Sequence, residues 1–411
     1  MDCVGLCQFV QGIGVADPSI ARFIGLMISV VLVSGVPLLT VVFLILAERK
    51  IAGRFQDRVG PNRVGPFGLL QTIPDLLKLL GKEDITPAAA DRMLYNAAPL
   101  LSFASVVLIW AVIPFMYSSN PPGAYVGVDL DIGALYFIAI ASLGTLAIMT
   151  AAWASNNKYA LLGAFRVVAL LVSYEIPLVF ALLIPVMLAG SMSMVDIVNA
   201  QSHMWFIFMA PVAAFMFFIS SQAETGRAPF DLIEAESELV AGFNIEYSGM
   251  KFGMFFAAEF LHVFTNSVLL AVLYMGGYMG LFYQQVPILG FVWLGLKASV
   301  FYFISLWMRN TLPRLRIDQV MSLNWFFFVP ISILNVILTA LILKLMQVAG
   351  WAPTDFATTT LLEVLPVTLV LLAKDVVMIV LIMARVASEG HQARVAEQQL
   401  NEDLFVTAAG D

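Results

Sequence analysis

Long apolar segments separated by short polar or charged loops run along most of the chain. Each segment approaches or exceeds the roughly 20 residues that an α-helix needs to cross a membrane. Nine segments have this character: 20–47, 97–117, 132–154, 160–189, 204–222, 252–276, 288–308, 323–346 and 360–386. The first is longer than the apolar core of a signal peptide and no basic segment precedes it, so we expect it to be retained. The pattern predicts an all-α polytopic membrane protein with about nine transmembrane helices.

The charges of the loops predict how these helices are oriented. Eight basic residues follow the first span: Arg49, Lys50, Arg54, Arg58, Arg63, Lys78, Lys82 and Arg92. The loops 118–131, 190–203 and 277–287 contain no Lys or Arg. Because cytoplasmic loops carry the excess of basic residues, we expect the segment 1–19 to lie outside, in the periplasm, and the C-terminus to lie in the cytoplasm.

The first cytoplasmic loop combines a turn-rich basic segment with an amphipathic helix. The segment FQDRVGPNRVGPFG carries two Gly-Pro steps, which favour turns over a helix. Apolar residues then recur with helical spacing, at Leu69, Leu70, Ile73, Leu76, Leu77 and Leu80. Pro74 is expected to start or kink this helix. The helix either anchors the loop to the membrane surface or forms a wall of an entrance for a lipid-soluble carrier.

A charged island, residues 223–249, lies between two apolar spans. Its acidic residues are Glu224, Asp231, Glu234, Glu236, Glu238 and Glu246, and its only base is Arg227. Pro229 and Gly242 bracket a predicted short helix, Phe230 to Ala241, on which Asp231, Glu234 and Glu238 share one face. Carboxylates crowded on a partly desolvated face do not all ionise at low cost, so we expect some to exchange protons near neutral pH. The alternative is a solvated acidic loop; the position between membrane spans favours proton exchange.

Charged residues also occur within the predicted spans, where charges are costly. Glu175 and Lys297 are too deep to reach the interface, and each belongs either to a proton path or to a satisfied pair between helices. Lys374 and Asp375 lie midway along the last span. Neighbouring residues on a helix point about 100° apart, so we expect them to meet polar or opposite charges on another helix rather than each other.

The composition narrows the chemistry further. Of the 411 residues, 61% are hydrophobic and 12% are charged, against about a quarter charged in soluble domains. The net charge is −7, and the basic residues form no nucleic-acid footprint. Cys3 and Cys7, the only cysteines, are too few for an iron–sulfur cluster or a disulfide framework. The histidines show no paired spacing for haem or metal, and no GxGxxG or phosphate-loop motif occurs. A redox reaction therefore needs a cofactor on a partner or a diffusing lipid-soluble carrier.

Seven sequence blocks together resemble the quinone-site membrane subunit of respiratory complex I, the proton-pumping NADH:quinone oxidoreductase. The blocks are ERKIAGRFQDRVGPNRVGPFG (48–68), QTIPDLLKLLGKE (71–83), NNKYALLGAFR (156–166), SYEIP (173–177), AETGRAPFDLIEAESELVAGFNIEYSG (223–249), FFAAEF (255–260) and TLPRLRIDQVM (311–321). They occur in order within residues 20–346, the eight-helix family core. Gly226, Asn310 and Ile317 stand where the family usually has Asn, Ala and Tyr, differences that bear on fine packing rather than on function. Residues 347–411, with one extra span and a cytoplasmic tail, extend beyond this core.

The resemblance implies a subunit of a proton-translocating enzyme in the cytoplasmic (inner) membrane of a bacterium, with no cofactor or metal of its own. It would form the membrane end of a quinone tunnel beneath a peripheral arm that carries FMN, the NADH site and iron–sulfur clusters. Its partners would be the iron–sulfur quinone-module subunits and the small and antiporter-like membrane subunits. The residues implied in proton coupling are Glu175, Glu224, Asp231, Glu234, Glu236, Glu238 and Glu259. Those implied in the quinone tunnel or its docking rim are Arg49, Arg54, Asp57, Arg63, Asp75, Lys78, Arg227 and Phe230.

Two other functions stay open at this point. The equivalent subunit of a hydrogenase-type, ferredoxin-driven or F420H2-driven complex shares the TLPR-type loop and the acidic island, although the complete GPNRVGP segment favours the quinone enzyme. A stand-alone secondary transporter is compatible with charges inside the membrane, but the chain shows no internal inverted repeat of the kind that such folds usually have.

Overall fold

A computed structural model describes residues 18–408 except 120–121, 233–241, 352, 354–355 and 357–360. Within this part of the chain, eight helical segments are long and apolar enough to cross a membrane. Their principal helices are α1 (Pro18–Phe55), α3 (Arg92–Ile109), α4 (Gly133–Ala154), α5 (Lys158–Ala189), α9 (Gly249–Tyr274), α10 (Pro287–Thr311), α12 (Val329–Val348) and α13 (Leu361–Ala408). The shorter helices are α2 (Thr72–Leu80), α6 (Met194–Asn199), α7 (Phe206–Met209), α8 (Pro211–Glu224) and α11 (Ile317–Leu323). The predicted all-α membrane class is confirmed.

The predicted span 204–222 differs from the other eight because it is not one continuous helix. It is divided into α7 and α8 at Ala210, whose φ of −139° and ψ of 63° are not helical. The physical reason is Pro211, which lacks a backbone N–H and restricts the residue before it to non-helical conformations. The break leaves the first turn of α8 without the hydrogen bonds that a continuous helix would supply.

The first loop has the predicted turns followed by the predicted amphipathic helix. The turns pack so closely that a side chain at Gly68, where φ is +75°, would place a Cβ 2.2 Å from the carbonyl oxygen of Pro61. The Lys50 Nζ donates to the Phe67 carbonyl at 2.5 Å and holds the loop against the end of α1. Pro74 lies in the first turn of α2, where its missing N–H costs no helical hydrogen bond.

The apolar core lies where α3, α5, α8 and α9 meet. Two polar side chains inside it are paired: the Trp110 indole N–H donates to Thr265 Oγ1 at 2.8 Å, and the Tyr274 hydroxyl donates to the Ala181 carbonyl at 2.7 Å. Such pairing is required because an unsatisfied polar group buried among apolar residues is costly. These two bonds tie α9 to the end of α3 and to α5.

A short antiparallel hairpin was not predicted. Strand β1 (Met116–Ser119) starts at the end of the predicted span 97–117 and pairs with β2 (Pro122–Tyr125), with Met116 opposite Tyr125. The hairpin is remote in sequence from the charged island and packs against α10.

Lys297 lies in a site built from backbone carbonyls. Its ammonium group donates to the carbonyls of Met275, Gly277 and Met279 at 2.6, 2.9 and 2.6 Å, and it lies 4.6 Å from the centre of the Trp205 ring. A lysine ammonium has three N–H donors, and all three are used on the turn that follows α9. This geometry favours a structural role for Lys297, in which the partner is the backbone of a turn.

Candidate functional site

Arg227, the only base of the charged island, is the centre of a buried ionic cluster. Its side chain is 1% exposed. The guanidinium Nη1 lies 2.7 Å from Glu48 Oε2, and its Nε lies 3.4 Å from Glu259 Oε1. The guanidinium carbon also lies 4.8 Å from the centre of the Phe260 ring. A buried cation is tolerated when carboxylates and an aromatic face surround it in this way.

Glu48 connects this cluster to two further positions on α10. It forms an ion pair with Arg309, in the last turn of that helix, and the Tyr302 hydroxyl lies 3.5 Å from its Oε2. From the sequence, Glu48 is identified only as the first residue of a resemblance block, and Arg309 has no assigned role. An acidic residue directly after a long apolar span was the available signal for Glu48, because a charge there has to find a partner. We call Arg227, Glu48, Glu259 and Arg309 the arginine centre.

Glu224, the last residue of α8, lies in a second polar environment close by. It is 6% exposed, and its Oε2 accepts from Asn266 Nδ2 at 3.2 Å. His262 Nε2 lies 3.8 Å from the other carboxyl oxygen. His262 and Asn266 were missed from sequence, although they follow Glu259 by three and seven residues and therefore share one face of α9.

A cavity of about 70 Å³, which we call the polar cavity, lies between the two environments; ten of its eighteen lining residues are apolar and eight are polar. Its polar lining residues are Ser102, Ser105, Thr145, Glu224, Thr225, Asn244, Glu259 and His262. A single water needs roughly 10–15 Å³ of such space and two or more polar partners. The cavity therefore has room for several waters between the carboxyls of Glu259 and Glu224.

Glu175 extends this arrangement on α5. It is half-buried, its carboxyl is hydrogen-bonded to the Thr145 side chain, and it is close enough to Glu224 for their charges to interact. The structure thus brings together Glu259, Glu224 and Glu175, three residues of the predicted proton path. Ordered water bridges such polar groups by hydrogen bonds.

The start of the acidic loop departs from the predicted helix. Residues 230–232 are not helical. Tertiary contacts hold this segment instead: Leu315 N–H donates to the Pro229 carbonyl at 3.0 Å, and the buried Phe230 ring lies 5.3 Å from that of Tyr174. Asp231 belongs to this non-helical part. The predicted residues Glu234, Glu236 and Glu238 lie outside the described part of the chain, as does the rest of the predicted helix.

The predicted tunnel and rim residues divide into buried and exposed groups. Arg227 and Phe230 are buried, whereas Arg49 on α1 forms an ion pair with Asp75 on α2 at the surface. The remaining four, Arg54, Asp57, Arg63 and Lys78, are exposed. Among the residues that the structure describes, no group of three or more His, Cys, Asp or Glu residues is placed to hold a metal ion.

The sequence matches one protein family over most of its length. The family model for NADH dehydrogenase matches residues 28–340. The H subunit of NADH-quinone oxidoreductase from Geobacillus thermodenitrificans is 48% identical over 307 residues, which cover 74% of this chain and 90% of the relative. The corresponding subunit from Brevibacillus brevis is 45% identical over 80% of this chain and 96% of the relative. That from Dehalococcoides mccartyi strain CBDB1 is 46% identical over 77% and 87%.

Proposed function

The chain belongs to the family of H subunits of NADH-quinone oxidoreductase, complex I, and on this basis we propose that the arginine centre and the polar cavity couple quinone reduction to proton transfer. Members of this family are membrane subunits of an oxidoreductase complex. The observation that carries the proposal is the cavity itself, because it joins the acid that contacts Arg227 to Glu224 on another helix and to Thr145, whose side chain is hydrogen-bonded to Glu175.

In this proposal Glu259 acts first. Reduction of a quinone to a quinol consumes two electrons and two protons; the electrons come from iron–sulfur clusters on partner subunits, which receive them from NADH through FMN. Glu259 contacts Arg227 on one side and faces the cavity on the other. When its carboxyl gives up a proton toward the quinone, the resulting carboxylate is stabilised by the guanidinium 3.4 Å away.

Glu224 and Glu175 respond to that change of charge. Two carboxylates facing one small cavity do not ionise together at low cost. The charge on Glu259 therefore determines whether Glu224 holds its proton. His262 lies beside Glu224, and Thr145 lies between the cavity and Glu175. Together they support a route by which a proton moves from Glu175 and Glu224 back to Glu259, so that quinone reduction changes the charge of the path at its end toward the neighbouring pump subunits.

The quinone entrance is proposed at the junction of α1 and α2. Leu69, Ile73 and Leu77 are exposed there, so they offer an apolar surface beside the Arg49–Asp75 ion pair. The apolar tail of a quinone suits the exposed apolar side chains, and its polar head suits the ion pair. The exposed basic residues of the same loop suit docking of the peripheral subunits on the cytoplasmic side, with the N-terminus outside and the C-terminus in the cytoplasm.

Arg227→Ala tests the proposal in the intact complex. The change removes the cation that Glu48 and the half-buried Glu259 share; Glu48 keeps Arg309 as a partner, so the cost is at most about 3–5 kcal/mol. We expect the loss of NADH:quinone reductase activity, while electron transfer from NADH to a water-soluble acceptor persists. Arg316→Ala is the matched control, because the Arg316 side chain is 73% exposed and its pair with Asp318 is long at 3.8 Å.

The composition of the purified complex tests the partners. A tagged chain isolated in mild detergent should bring with it iron–sulfur and NADH-oxidising subunits. Hydrogenase subunits in their place, or a chain isolated alone, would contradict the proposal. So would normal quinone reduction by an assembled Arg227→Ala complex.

A further inference from the structure

The C-terminal helix α13 lies beyond residues 28–340, the part that matches the family, and carries a buried ion pair. Asp375 is 0% exposed, and the Lys374 side chain is 7% exposed. Lys374 Nζ lies 2.7 Å from Asp375 Oδ1, so the two neighbours do contact each other, contrary to the expectation from helix geometry. The long, flexible Lys374 side chain turns back to its neighbour, which the 100° rotation between adjacent residues does not prevent.

The pair has further partners on two other elements. Lys374 Nζ donates to Asn335 Oδ1 at 2.6 Å and to Thr339 Oγ1 at 2.8 Å, both on α12. Asp375 Oδ2 accepts from the backbone N–H of Val212 at 3.1 Å. The pair therefore ties α13 to α12 and to the start of α8.

The contact with Val212 satisfies a specific need of α8. This helix begins at Pro211, which has no N–H, so Val212 provides the first backbone donor. The preceding residue, Ala210, has no side chain that can cap it. A helix N-terminus carries unpaired N–H groups and a partial positive charge, and a carboxylate stabilises both. Asp375 acts as the missing cap, supplied by another helix.

We propose that Asp375 is a positioning residue: it caps the broken start of α8 and thereby holds Glu224 at the other end of that helix in place. Val212 and Glu224 are the second and the last residues of one 14-residue helix. A shift at its start is therefore transmitted to the cavity. The role of Glu224 in this inference rests on the proposed function, whereas the cap itself does not.

The experiment uses the assembled complex with both charges removed together. In Lys374→Leu/Asp375→Leu neither member of the pair is left as a lone buried charge, and α13 keeps its apolar surface, so the subunit is expected to assemble. Hydrogen–deuterium exchange should become roughly five- to tenfold faster in a peptide covering 212–216, because the cap is lost. Exchange should also rise in a peptide covering 221–226, and the pH profile of NADH:quinone reduction should shift.

Two other variants keep the test decisive. Thr368→Val is the matched control: it removes a buried hydroxyl from the same helix, one whose hydrogen bond is to Val364 of α13 itself. It should leave exchange and the pH profile unchanged. A chain ending after Val348 lacks α13 and should reproduce the faster exchange if the double variant does not assemble.

The possible outcomes separate this inference from the proposed function. Unchanged exchange at 212–216 would show that Asp375 does not cap the start of α8. Faster exchange there, with wild-type exchange at 221–226 and a wild-type pH profile, would overturn the positioning of Glu224. The proposed function fails by a different result, which is full coupled activity in Glu224→Gln. That result does not bear on the exchange measured at the two peptides in the double variant.

Discussion

The arginine centre and the Lys374–Asp375 pair are both buried charges between helices, and they differ in what surrounds them. Glu259 of the arginine centre faces a cavity whose mixed lining includes hydroxyls, carboxyls and an imidazole beside apolar side chains. The cavity that borders Val212, the partner of Asp375, is lined by apolar residues such as Phe215 and Phe328. Apolar cavities stay dry, whereas polar ones hold water. Burial alone therefore does not identify a proton path; a buried acid needs neighbours that exchange protons with it.

Glu175→Gln tests the polar side of this contrast and has the largest expected effect. The amide keeps the shape and the hydrogen bonding of the carboxyl but does not titrate. We expect quinone-linked turnover and proton pumping to fall by about a hundredfold or more, as for the loss of a proton-transfer group. The measurement is NADH:quinone activity and proton uptake in vesicles that contain the complex.

Glu175→Asp provides the control for this prediction. It shortens the side chain but keeps a titratable carboxyl, so it should retain part of the activity. Equal pumping by the Gln variant and the wild type would show that Glu175 is a structural partner of Thr145, and would remove it from the path.

Lys297→Met tests whether a buried charge held by backbone carbonyls is purely structural. The change leaves the carbonyls of Met275, Gly277 and Met279 without this donor, which should cost about 3 kcal/mol or more in total. We expect less assembled complex and a lower thermal midpoint, while turnover per assembled molecule stays at the wild-type level. Lys344→Met, at an exposed lysine of α12, is the matched control. A Lys297→Met complex that assembles fully but pumps fewer protons per electron would place Lys297 in a proton path.

His262→Asn has the smallest expected effect. Asparagine keeps a polar group facing the cavity but removes the imidazole beside Glu224. We expect turnover to fall about two- to tenfold, because the free energy of a single hydrogen bond changes a rate by about that factor. Steady-state NADH:quinone rates measured across pH check this, since a titrating group changes the shape of the profile. An unchanged rate and profile would show that water and Glu224 suffice without His262.

The agreement between sequence and structure is closest where local physics decides the outcome. Segments of about 20 apolar residues have to satisfy their backbone groups internally in a membrane, so they form helices whatever their partners. The Gly-Pro turns and the amphipathic α2 are equally local. The break at Pro211 belongs here too: proline chemistry accounts for it, although hydropathy alone indicated a continuous span.

Which charges that are far apart in the sequence contact each other depends on how the helices pack. Glu48 and Arg227 are separated by 179 positions in the chain, yet they lie 2.7 Å apart. The start of the acidic loop follows its contacts with Leu315 and Tyr174 rather than its own helical pattern. The pairing of Asp375 with the start of α8 likewise depends on two helices packing together. The sequence indicated that each buried charge needs a partner, because isolated charges are costly in a membrane. The packing of the helices determines which residue becomes the partner, because contacts between segments that are far apart in the sequence leave no local pattern.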